Sequence, residues 1–212
     1  KMSNTVISGP DASGEYDVQV GTNSGNGSNG YRYFIYEDSN LLQPSSIFLS
    51  EGHDVVLNQS GRGADLIVIG TKDMISTASE LIAAREAQGL RVETATLDQI
   101  YAEFSHGLTS SQAIKDFVNH ALDNWQAPAP KYLLFVGDGT YDPREKLDLG
   151  SQPHAMPLHM EKGSYLDFGG DNWFVNDGTT DMPRMAVGRI PASTPAELYS
   201  YIDKLLSYEN GN

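Results

Sequence analysis

Cysteine is absent from all 212 residues. That absence removes disulfide staples, thiolate metal sites and thiol nucleophiles from this chain. Basic charge is scarce as well, with 14 Lys and Arg against 28 Asp and Glu, for a formal net charge of -14. Phosphate binding needs clustered cations, so nucleic acid is not an expected partner. Long apolar runs are missing too. The longest, LIVI at 66–69 and YLLFV at 132–136, fall far short of the ~20 residues that cross a bilayer, so no transmembrane segment is expected. The opening Lys1-Met2-Ser3-Asn4 carries no signal-peptide pattern and reads as an interior cut of a longer polypeptide. An acidic, Asn/Gly/Ser-rich chain without Cys suits a secreted or surface protein of a bacterium, a balance that many cytosolic proteins share.

Two textures follow one another along the chain. From Val6 to Gln59, short alternating runs (15–20, 31–37, 46–50 and 54–58) stand between Gly/Asn/Ser clusters such as GTNSGNGSNG. Period-two runs between turn residues predict antiparallel strands and hairpins, so residues 1–62 read as a small β segment. From about residue 63 the period changes. ADLIVIG (64–70) is a continuous apolar strand, followed by a helix with Thr77 and Glu80 at capping-box spacing and Gly89 as its stop. LRVETATL (90–97) is the next strand, and a helix is expected before His106. A third helix carries Ile114, Phe117, Val118, Ala121, Leu122 and Trp125 on one face, with Thr109 and Gln112 as its capping box. YLLFVG and MAVGRI add strands, and Thr194-Pro195-Ala196-Glu197 opens a last helix that points Leu198, Tyr201, Ile202, Leu205 and Leu206 inward. Apolar strands alternating with amphipathic helices specify a parallel sheet covered on both faces, an α/β layer domain over 63–212.

Ligands of such sheets gather beyond the carboxyl ends of the strands, where Thr71 and Asp138 fall. The run VGDGTYDPRE lacks both the GK[ST] ending and the GxGxxG spacing of phosphate loops. The five histidines, at 53, 106, 120, 154 and 159, show no triad spacing. His106 and His120 read as solvated or core-edge residues, and the same reading is favoured for His154 and His159, although these two lie in a long connection from Asp142 to Tyr165. Carboxylates are the richer pattern: Asp138 and Asp142 flank a strand tip, and Asp167, Asp171, Asp177 and Asp181 follow among glycines. Asp/Asn/Gly loops offer the hard oxygens calcium takes, although no EF-hand spacing is present, and a solvated turn is the competing reading.

The order of QGLRVETATLDQIY, LLFVGD and VGRIPAST before a helix ending SYEN resembles the gingipain family of bacterial cysteine peptidases, over about residues 64–210. The resemblance implies a caspase-like three-layer α/β sandwich with a mostly parallel sheet, of which this chain is the first subdomain. It implies that the family's catalytic His and Cys lie downstream, in a second subdomain that would be this chain's partner, so this chain alone is expected to be inactive. It also implies a calcium site that maps onto Asp138, Asp177 and Asp181, with a departure at Arg184, where an acidic ligand is expected. The expected parent is a secreted or cell-surface endopeptidase acting on protein or peptide substrates. The alternative is a catalytically inactive, calcium-binding interaction or adhesion module of the same fold.

Overall fold

The computed structural model describes residues 5–8, 11–13, 17–20, 56–144, 146–147, 152–162, 167–178 and 182–211. Two compact units divide the chain, Lys1–Ile47 and Phe48–Asn212. In the first, β1 (Thr5–Ser8) and β2 (Asp17–Val20) form an antiparallel pair with Thr5 opposite Val20. The strands expected at 31–37 and 46–50, and the GTNSGNGSNG loop, lie outside the described residues.

The strand expected at 54–58 is not formed by its described part, which is a turn. The reason is visible in its hydrogen bonds. The Glu103 carboxylate takes the Leu57 and Asn58 N–H groups at 2.6 and 3.1 Å, and the Trp125 indole N–H donates to the Leu57 carbonyl at 3.0 Å. Side chains thus occupy the groups a ladder would need, and Leu57 is fully buried.

In the second unit, β3 (Leu66–Gly70) leads into α1 (Lys72–Thr77) and α2 (Ser79–Ala87), then β4 (Val92–Thr96), α3 (Leu97–Phe104) and α4 (Ser111–Asn124). β5 (Tyr132–Val136) opens a long connection holding the two-residue strands β6 (Gly139–Thr140), β7 (Met156–Pro157), β8 (Met160–Glu161) and β9 (Phe168–Gly169) and a 3-10 turn (Asn172–Val175). β10 (Ala186–Ile190) and α5 (Pro195–Glu209) close the unit. The four long strands make one parallel sheet in the order β10-β5-β3-β4.

Alternation along these strands sorts the core into two layers. Ile67, Ile69, Leu133 and Phe135 belong with Ile114, Phe117 and Phe174, from α4 and the 3-10 turn. Leu66, Val68, Val136 and Ile190 belong with Met74, Leu81, Leu198 and Ile202, from α1, α2 and α5. The result is helix, sheet, helix, as the apolar runs require. The predicted inward face of α4 is borne out, since Ile114, Phe117, Val118, Ala121 and Trp125 are buried and Leu122 is partly so.

Three local expectations are corrected. Thr77 does not cap a helix: it ends α1, and its hydroxyl donates to the Asp73 carbonyl one turn back at 2.9 Å, so α1 starts directly after β3. The cap of α4 is Ser110, one residue beyond Thr109, with its oxygen accepting the Gln112 N–H at 3.2 Å. Tyr201 does not point inward but is 49% exposed. Gly89 does stop α2, with a φ of 89° that disfavours any side chain.

The cap of α5 is as predicted, with the Thr194 oxygen accepting the Glu197 N–H at 3.2 Å and Pro195 in the first turn. Thr194→Ala is expected to cost about 1 kcal/mol. A urea titration would show this as a lower midpoint at unchanged slope. Among the described residues no helix is long and apolar enough to cross a membrane.

Candidate functional site

The strand order fixes where a site can be. After β3 the chain moves to β4 on one side, and then returns to β5 on the other, so the crevice beyond the ends of β3 and β5 is the switch point of the sheet. Thr71 ends β3, and Gly137-Asp138 ends β5. Both residues singled out from sequence are therefore brought to the carboxyl edge.

Gly137 makes this edge possible. Its φ is 137°, and a Cβ on it would stand 2.6 Å from the His154 carbonyl oxygen. The bare backbone lets residues 152–157 cross close behind the strand tip, where the Met156 N–H donates to the Asp138 carbonyl at 2.8 Å. His154 is thereby placed with its Nδ1 3.1 Å from the Thr71 hydroxyl. Asp138, His154, Ser193 and Thr194 line a cleft of about 360 Å3 above β5 and the start of α5.

The Asp138 carboxylate is half-buried at this cleft. Oδ1 accepts the Gly139 N–H at 2.7 Å, and Oδ2 accepts the Ser193 hydroxyl at 3.4 Å. Behind it stands Arg189, the arginine of the VGRI motif. Its guanidinium donates to both Asp171 oxygens at 2.9 and 2.6 Å and to the carbonyls of Gly137 and Asp138 at 3.1 and 3.4 Å. It also lies 4.8 Å from the centre of the Phe135 ring. One cation thus ties the residue-171 loop to the β5 tip and directs both backbone carbonyls inward, leaving the Asp138 side chain on the cleft side.

A second cleft, of about 370 Å3, opens between the end of β3, α3 and residues 140–144. Thr71, Asp98, Tyr101, Thr140, Asp142 and Arg144 are among its walls. The Tyr101 hydroxyl is buried and has no partner among the described residues, and burial, with Asp98 adding to it, pushes its pKa well above the ordinary value. Asp142 is committed to its own loop, accepting the N–H groups of Lys146 and Leu147 at 3.0 and 2.6 Å.

The predicted calcium ligands have separate fates. Asp138 is at the strand tip, and Asp177 is exposed just after the 3-10 turn, while Asp181 lies outside the described residues. Among the described residues no three His, Asp or Glu side chains form a group that could hold a metal. Arg184, where an acid was expected, is turned away to an ion pair with Asp123, and its N–H donates to the Val175 carbonyl at 2.9 Å.

Sequence reasoning missed the Arg189 clamp. The available signal was a lone charge within an otherwise apolar strand, because such a charge is buried only with a partner. His159, read from the sequence as a solvated or core-edge residue, stacks on Trp173 at 3.6 Å, with Lys115 4.1 Å from the same ring centre. Burial lowers its pKa first, Glu161 opposes that shift, and Lys115 adds to it.

The structure is similar to dimeric latent PorU from Porphyromonas gingivalis, with a TM-score of 0.59 and 29% identity over 70% of this chain. It shares its fold with a solved protease (TM-score 0.51, 23% identity, 68% of this chain). The same holds for the complex of Porphyromonas gingivalis RgpB pro- and mature domains (TM-score 0.52, 19% identity, 68% of this chain). The chain spans 16% of the PorU chain and 28% of each of the other two. No match was found among curated proteins. The fold is the caspase-like α/β arrangement of these neighbours. A sequence model of peptidase family C25 matches residues 59–212, so the chain belongs to that family, the gingipain family.

Proposed function

We propose that this chain is the N-terminal part of a secreted gingipain-like cysteine endopeptidase and supplies the structural half of its peptidase domain. The observation that carries this reading is a family match over residues 59–212 in a chain with no Cys at all. The thiolate that attacks a peptide carbonyl, and the His that serves as its base, then belong to another part of the polypeptide. The share of the matched chains that it spans, 16 to 28%, supports the same division of labour. The test is to treat the natural full-length polypeptide, with calcium present, with a thiol-reactive peptide probe that requires an activated cysteine. Specific labelling, blocked by prior iodoacetamide, supports the peptidase. No label on the folded full-length protein would move the assignment to a catalytically inactive interaction or adhesion module.

Calcium is part of the proposal. Asp138 would contribute the carboxylate that faces the cleft, and Asp177 and Asp181 the rest of the acidic charge, so that the ion pins the loop before β10 to the β5 tip. Millimolar calcium is then expected to raise the melting temperature of this chain over that in EGTA. At roughly 100 times the dissociation constant the gain is about 2.7 kcal/mol. In Asp138→Asn the melting temperatures in calcium and in EGTA should coincide. An identical melting temperature in calcium and EGTA for the unsubstituted chain would remove the ion from the reading.

A further inference from the structure

Buried hydroxyls in a folded chain ordinarily find a partner, because an unpaired one forfeits the hydrogen bonds that water gave it. Tyr101 of α3 departs from this. The residue is only 7% exposed, and its hydroxyl meets no donor or acceptor among the described residues. Tyr101 belongs both to the core layer that holds Ile114 and Phe117 and to the wall of the 370 Å3 cleft beyond β3. A volume of that size is at the small end of ligand pockets.

The other walls narrow what could serve this hydroxyl. Thr71 is engaged with His154, and the Thr140 oxygen accepts the Asp142 N–H at 3.1 Å. The Asp142 carboxylate is taken by the N–H groups of Lys146 and Leu147. Two charged side chains are not so committed. Asp98, exposed in the first turn of α3, has no side-chain hydrogen bond or ion pair among the described residues, and its charge helps to keep the Tyr101 proton in place. Arg144 donates to the Thr109 carbonyl at 3.3 Å and pairs with no carboxylate among the described residues. Leu97, Pro143, Pro153 and Ala155 add apolar surface between them. A simple anion would meet two carboxylates against one cation, and a simple cation would meet Arg144. A ligand that carries both charges can satisfy each wall with its opposite.

We propose that this cleft binds a small dipolar ligand, a free amino acid or a dipeptide, with its ammonium on Asp98 and its carboxylate on Arg144 and the Tyr101 hydroxyl. Every group that holds the ligand belongs to this chain. The site therefore stands whether or not the rest of the polypeptide is a peptidase.

The probes are L-leucine and L-leucyl-L-leucine, titrated into this chain while the amide NMR signals of α3 and residues 140–144 are followed. N-acetyl-L-leucine and L-leucinamide each lack one of the two charges. At least one dipolar probe is expected to saturate in the millimolar range or below, and the tighter of the two tells a free amino acid from a peptide. Removing either charge from the probe should weaken binding about tenfold or more, and so should Asp98→Asn, Arg144→Gln or Tyr101→Phe. Tyr199→Phe, on α5 and outside the cleft, should bind as the parent does. Tyr101→Phe gives a second readout. Without ligand its urea midpoint should equal or exceed that of the parent, because the lost hydroxyl had no partner. A clear fall would show that buried water already satisfies the hydroxyl, and would overturn the proposal. So would a failure of both dipolar probes to saturate, or a blocked probe that binds as tightly as its dipolar counterpart.

Discussion

Arg189→Met is expected to lower the unfolding free energy by on the order of 3 kcal/mol, which would make it one of the most damaging single changes in the molecule. The substitution keeps most of the aliphatic stem over Phe135 but removes the cation that holds Asp171 and the carbonyls of Gly137 and Asp138. Asp171 is then left with its charge uncompensated in a half-buried place. The side chains of Arg189 and Asp171 retain 11% and 24% exposure, so water relieves part of that penalty and the effect falls at the low end for a buried pair. Arg189→Lys should lose a substantial part of the stability as well, because an ammonium cannot reproduce the planar fork that serves a carboxylate and two carbonyls together. Asp171→Asn should cost less, since the guanidinium would keep both carbonyls. Guanidinium chloride denaturation of the three variants checks the order. A value for Arg189→Met within about 0.5 kcal/mol of the parent would show that the clamp contributes no more than an exposed pair.

Gly137→Ala is expected to cost about 2 to 3 kcal/mol, for two reasons that act together. Its φ of 137° is one an L side chain rarely adopts, and the new methyl would sit 2.6 Å from the His154 carbonyl oxygen, a backbone atom that can yield only by moving its whole segment. The change should therefore be felt beyond stability. Residues 152–157 would shift away from the strand tip, and the His154 imidazole would leave the Thr71 hydroxyl. Imidazole NMR signals report that loss, and the same signals in a Gly188→Ala control should be unchanged because that position has open space. Unaltered His154 signals in Gly137→Ala would mean that the crossing segment does not depend on the bare glycine.

Much of the layer architecture could be read directly from residue patterns. The apolar strand at 66–70 carries its own signature because both faces are buried, those at 132–136 and 186–190 keep apolar runs although Tyr132, Ala186 and Gly188 are exposed, and α4 carries its signature because one face is buried. Helix starts were less legible. Thr77, Thr109 and Ser110 all have side chains able to cap, and which one does so depends on where the preceding strand releases the chain. Tyr201 had the right spacing to point inward, but no packing among the described residues buries it, and it stays 49% exposed.

The site divides along the same line. Asp138 was legible because a carboxylate directly after a buried strand must lie at the sheet's edge. The partner of Arg189 was not, since an ion pair between residues 18 apart depends on how the intervening loop returns to the strand. Calcium ligation by Asp177 and Asp181 is likewise a matter of loop path.

By itself the sequence determined the alternation of strand and helix, the carboxyl-edge position of Asp138 and Thr71, and the absence of any thiol chemistry in this chain. These follow from periodicity and composition, which are local properties. Only the tertiary structure decided that Arg189 fastens the strand tip, that Gly137 lets residues 152–157 cross behind it, and that one face of β5 and β10 stays open. Each of these depends on which distant segments meet, and distant meetings are set by the packing of the whole core.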